Sequence, residues 1–244
     1  MSQSDTALDH HDRTEFQLER LILFTDAVFA IAITLLAIEI RFPEFGHRLP
    51  SNTDIWRGLG ELVPKFMGFL IGFVIIAQYW TAHHRIFRFV RNYDTKLLWL
   101  NILFLMFIVL MPFSSGVFSS YAVVAAAFTI YAINIMLAGL AQVLLLRYLL
   151  NPAHQLILPE DRTHPDLDTW RPLVAVAGFG VALLVVQLLP SQGIWILLIP
   201  FTALLVIPFS WLHRRRHARL LRAHLALRQP ALEPEAALEP VPTP

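Results

Sequence analysis

The residues with chemistry in them gather in three apolar stretches: Thr25-Asp26 in the first, Trp80, His83 and His84 in the second, and Asn101 in the third. Asp26 lies within Arg20 to Ile40, RLILFTDAVFAIAITLLAIEI, a segment long and apolar enough to cross a bilayer. A carboxylate at that depth costs about 3 kcal/mol or more unless it is paired. The partners it needs are donors, and imidazole N–H, indole N–H, amide and hydroxyl can each supply one. The expectation is a hydrogen-bond network around Asp26 that draws in Thr25, Trp80, Asn101 and one of His83 and His84. Such a network is either polar glue between helices or part of gating or proton sensing, with histidine as the pH-responsive member. No metal is expected from the His83-His84 pair, because ligands on one helix face are spaced three or four apart. HExxH and GxSxG are absent and there is no cysteine, so neither an enzyme nor a cofactor is expected.

The elements that must position these residues are membrane helices. Of the 244 residues, 56% are hydrophobic and 15% charged, and the mean hydropathy is +0.57; a soluble domain carries about 25% charged residues. Six spans are expected, at roughly 19–40, 62–84, 95–114, 119–147, 171–189 and 193–213. This gives an all-α membrane protein with a single six-helix unit at 19–213, an N-terminal tail at 1–18 and a basic, then disordered, C-terminal tail at 214–244. With the N-terminus inside, fifteen of the nineteen lysines and arginines fall on the inner side, so both termini are expected in the cytoplasm. The basic tail suits anionic lipid, and no nucleic-acid partner is expected. The same orientation brings Asp26, the end of the second span and the start of the third to one inner depth.

Ile31, Thr34, Leu35 and Ile38 form a second stripe on the first span. Asp26 lies about 140° from Ile31 at 100° per residue. By itself such a stripe more often faces lipid or packs against a neighbour than lines a pore.

Arg20-x-x-x-Phe24-Thr25-Asp26, followed by AVFAIAITLLAIEI, resembles the first helix of the transmembrane protein 175 potassium-channel family, with threonine where serine is usual. The likeness continues in Tyr79-Trp80-x-x-His83-His84-Arg85, in Leu97-Leu98-Trp99-Leu100-Asn101 and in Met111-Pro112-Phe113. It covers the first three spans strongly and the rest by helix count. The resemblance implies a potassium-selective channel of the plasma membrane, four copies around a central pore lined by helix one. Ile31 would form the narrowest hydrophobic ring, with Thr34, Leu35 and Ile38 towards the outside. Potassium ions would be held only in passing. No TVGYG loop is present, so a carbonyl-cage filter is not available. The rival reading is a proton-conducting or proton-coupled transporter using Asp26 and His83/His84.

Overall fold

The computed structural model describes residues 3–45 and 49–188. Helix α1 runs from Gln3 to Ile38, without a glycine or proline to stop it. It therefore begins well before residue 19: the segment read as a tail continues the helix from Gln3. A short helix α2, Asn52–Glu61, follows. Ser51 caps it: the hydroxyl accepts from the Asp54 N–H at 3.2 Å while the Asp54 carboxylate accepts from the Ser51 N–H at 2.9 Å. Helix α3 is Val63–Phe87, opened by Pro64 in its first turn.

The third span is two helices, α4 (Thr95–Val109) and α5 (Met111–Ser120), and reaches Ser120 rather than 114. Pro112 has no N–H to continue the α-helical ladder, so the chain turns at Leu110. Asn134 of the next helix donates to the Phe107 carbonyl beside this break (3.2 Å) and to the Ser114 hydroxyl (3.1 Å), the kind of repair that makes a broken helix tolerable in lipid. Helix α6 is Ala125–Leu150 and α7 is Trp170–Leu188. The α5–α6 turn takes up 121–124, where the sequence reading had the fourth span already under way. Among the described residues five helical segments are long and apolar enough to cross a membrane. The sixth expected span, 193–213, and the C-terminal tail lie outside the described residues.

Helix α1 packs against α3, α4 and α5, while α6 packs against α4, α5 and α7. One apolar cluster fills the middle, around Phe29, Leu36, Ile76, Phe104 and Tyr131; a second, around Leu21, Ile86, Leu97 and Leu146, fills the end that carries Arg85 and Arg88. At that end Arg91 N–H donates to Leu156 O (2.8 Å), tying the α3–α4 loop to the α6–α7 loop.

Helices α3 and α5 approach through small residues. Gly68 and Gly72 face Ser119 and Ser115, and the Ser115 hydroxyl donates to the Gly68 carbonyl at 3.0 Å. A Cβ on Gly68 would lie 2.5 Å from the Ser119 Cβ, whereas one on Gly60 would meet nothing within 4 Å. Gly68→Ala is therefore expected to cost about 1–3 kcal/mol through overpacking, and Gly60→Ala close to nothing. Thermal unfolding in detergent, followed by size exclusion, reads both; equal midpoints would show that the seam has room.

Candidate functional site: two faces of the first helix

Positions 25, 29, 32 and 36 of α1 recur at helical spacing and share one face. Thr25 is fully buried there, and the same face carries Phe29, Ala32 and Leu36 into the core. Its hydroxyl donates its one proton to the Leu21 carbonyl at 2.8 Å. Towards Asn101 of α4 the same oxygen can only accept, so it is the Asn101 amide NH2 that meets it, also at 2.8 Å. Asn101 Oδ1 then faces His83 Nε2 of α3 at 2.8 Å, which requires that nitrogen to carry a proton. Asn101 is 0% and His83 2% exposed. The imidazole lies in an aromatic slot, stacked on Phe87 with centroids 4.0 Å apart and parallel to Phe104 at 5.6 Å. Three helices thus meet through one directed chain, His83 to Asn101 to Thr25 to the Leu21 carbonyl.

Asp26 belongs to a separate contact. Its Oδ1 accepts from the Trp80 indole N–H at 2.9 Å, on the half-exposed side of the α1–α3 seam. His84 is exposed and stacks on Trp80 at 5.6 Å. The expectation of one network centred on Asp26 is corrected in this respect: Thr25, Asn101 and His83 form one group, Asp26 and Trp80 another. The reason is angular. Thr25 and Asp26 are about 100° apart around α1, and Trp80 and His83 about 60° apart around α3, so groups at one depth divide between two seams. The Arg20 guanidinium sits over the Phe16 ring at 5.8 Å. Phe24 is exposed and borders an apolar groove with Val28 and, from α4, Ile102, Met106 and Val109.

The opposite face of α1 touches little within the chain. Ile31 is 58%, Leu35 37% and Ile38 57% exposed. Thr34 is exposed too, and its hydroxyl donates back to the Ile31 carbonyl at 2.8 Å, which leaves its oxygen able to accept. The small residues Ala27, Ala30 and Ala37 are also exposed.

Two buried contacts were not anticipated from the sequence. Tyr79 donates its hydroxyl proton to the Ile135 carbonyl at 2.7 Å, joining α3 to α6. Asp166, in the α6–α7 loop, gathers Arg85, Arg88 and Arg171. The only hint was a run of inner-side arginines with a carboxylate in a neighbouring inner loop. Among the described residues no three His, Cys, Asp or Glu side chains group as a metal site.

Residues 20–112 match the family model described as the endosomal/lysosomal potassium channel TMEM175. A protein of Streptomyces collinus named as a potassium channel is 33% identical over 102 residues, 42% of this chain and 48% of that one. A potassium channel of Chamaesiphon minutus is 36% identical over 104 residues, 43% and 50% of the two chains. The crystal structure of a lysosomal potassium-selective channel TMEM175 homolog from Chamaesiphon minutus superposes with a TM-score of 0.64 at 26% identity, covering 80% of this chain and 97% of that one. The chain spans about half the length of the curated relatives it matches. It is a multi-pass membrane protein, similar over residues 20–112 to the TMEM175 family of ion channels.

Proposed function

We propose that this chain forms a potassium-selective channel of the plasma membrane, with four copies of α1 around a central pore and both termini in the cytoplasm. The observation that carries this reading is the division of α1 into two faces. One is locked into the bundle by Thr25, Phe29, Ala32 and Leu36, all at most 2% exposed; the other offers Ile31, Thr34, Leu35 and Ile38 to whatever lies beyond the chain. Four such faces around an axis stack apolar rings. A ring of this kind gates by dewetting: slightly narrow it excludes water and ions, slightly wide it conducts. Potassium gives up hydration water more easily than sodium, so a tight and weakly polar passage favours it. The Thr34 hydroxyl oxygen supplies partial coordination between the Ile31 and Leu35 rings.

In this reading the Thr25–Asn101–His83 chain sets the rotation of α1 and so decides which side chains meet the axis. The Asp26–Trp80 bond supports the same setting from the neighbouring seam. The proton-coupled alternative uses Asp26 with His83 or His84; His83 bonds to Asn101 in the other group, while His84 stacks on Trp80, whose indole N–H holds Asp26.

Purified protein in liposomes is expected to pass potassium in preference to sodium, and to give unitary current steps in a planar bilayer. Equal flux of the two ions would remove the selectivity. Saturable, substrate-dependent transport without current steps would replace the channel with a carrier.

A further inference from the structure

We propose that the inner ends of α3 and α7, together with the α6–α7 loop, form a binding site for a phosphate group, carried by an acidic lipid of the inner leaflet. The proposal takes its sidedness from the orientation given above, but it does not depend on what the pore conducts.

The site is built around the buried Asp166 side chain. The Arg88 guanidinium donates to Asp166 Oδ2 through Nη2. Arg85 Nε and Arg171 Nη1 lie 3.9 and 4.0 Å from Oδ1. Those are ion-pair separations, too long for hydrogen bonds. His164 Nδ1, 3.7 Å from Oδ2, accepts the Asp166 backbone N–H at 3.1 Å, so that nitrogen carries no proton and brings no donor to the carboxylate. Asp168 spends Oδ1 on the Trp170 N–H that opens α7.

Three guanidiniums carry about fifteen N–H donors, and one carboxylate has roughly four acceptor positions. Donors are left over. Arg85 Nε is buried with no hydrogen-bond partner, and so is Arg162 Nε in the same loop. A salt-bridge clamp alone explains Arg88 but leaves the buried Arg85 Nε without an acceptor. A phosphate, with its several strong acceptor oxygens and the fork geometry arginine matches, supplies what is missing.

The position favours a lipid as the carrier. Arg85 lies in the last turn of α3 and Arg171 in the first turn of α7, which places both at headgroup depth. Arg88 is 53% exposed and lies over the Phe89 ring at 4.7 Å, so it reaches outward while Arg85 and Arg171 stay behind it. Trp170 beside them is exposed, as an interfacial aromatic would be. Basic pockets between the cytoplasmic ends of membrane helices are suited to acidic headgroups.

The test is native mass spectrometry of the full chain purified in mild detergent, after exchange with phosphatidylglycerol, and separately with inorganic phosphate titrated in. The wild-type protein is expected to retain phosphatidylglycerol through delipidation. Arg88→Gln with Arg171→Gln should lower retention about tenfold, whereas Arg91→Gln, which removes an exposed charge at the same end, should leave it unchanged. Displacement of the lipid by millimolar phosphate, with phosphate retained instead, supports the phosphate site and makes the free anion its ligand. Equal loss in Arg91→Gln and in the double variant would reduce the effect to general attraction and overturn the site. So would a wild-type protein that keeps neither lipid nor phosphate, a result that needs no variant to fold. Since the measurement reads no ion flux, its failure leaves the channel reading standing, and the reverse also holds.

Discussion

Ile31→Asn is expected to raise sodium flux through reconstituted protein about tenfold or more, with a smaller gain for potassium, so that selectivity falls. An apolar ring opposes ions because it offers water nothing to bond to. Exchanging each isoleucine for an amide at a position 58% exposed within its own chain lets water stay in the constriction. A barrier lowered by about 1.4 kcal/mol already amounts to a tenfold change. Sodium gains more because it holds its hydration shell more tightly and is the ion the dry ring penalises most. Ile31→Val is the companion: it keeps the ring apolar and slightly wider, and should raise conductance while preserving the preference for potassium. Ion flux from liposomes under a potassium or a sodium gradient reads both variants. Unaltered conductance and selectivity in Ile31→Asn would remove Ile31 from the constriction and leave its face to lipid or to packing.

That Thr25, Trp80, His83 and Asn101 lie near one depth was legible from the sequence, because span boundaries and a fixed rise per residue give depth directly. Rotation was not legible. Helix α3 is apolar almost all round, from Phe66 to Ala77, so no polar face announces which way Trp80 or His83 points. The division into two hydrogen-bonded groups therefore appears only in three dimensions. For α1 the case is different. Thr25 with Phe29, Ala32 and Leu36 forms a face distinct from Ile31 with Leu35 and Ile38, and simple angular counting separates them.

The break at Leu110 had a visible cause in Pro112, yet Met-Pro-Phe-Ser-Ser-Gly reads as the end of a span, since nothing local shows that the chain resumes as helix and that Asn134 stands ready to repair the gap. Helix α2 did carry a signal, Ser51-x-x-Asp54, overlooked because a ten-residue segment with two glycines reads as loop. Asp166 carried only the charge balance of two inner loops: its arginine partner Arg88 is 78 residues away, and no periodicity links a loop carboxylate to the end of a distant helix.

Asn101→Leu is expected to destabilise the protein by about 1–3 kcal/mol and to lower potassium flux about tenfold. An interhelical hydrogen bond within a membrane is worth only about 0.6 kcal/mol on average, so the lost bond to Thr25 is the minor part; Thr25 keeps the Leu21 carbonyl at 2.8 Å. The larger effect is on His83. Its Nε2–H loses Asn101 Oδ1 and is left in a slot walled by Phe29, Phe87 and Phe104, and a buried donor without an acceptor costs about 1–3 kcal/mol. His83→Phe in the same chain removes that orphan and puts a ring where a ring already stacks at 4.0 Å on Phe87. The double variant should therefore recover more than half of the lost stability in a detergent unfolding assay. Flux should not recover with it. Apolar replacements fill the space, but they do not fix one rotation of α1 against α3 and α4, whereas a directed chain of hydrogen bonds does. Stability and potassium flux returning together would show that the polar chain only holds the helices in contact, and that the face α1 turns outward is set by packing alone.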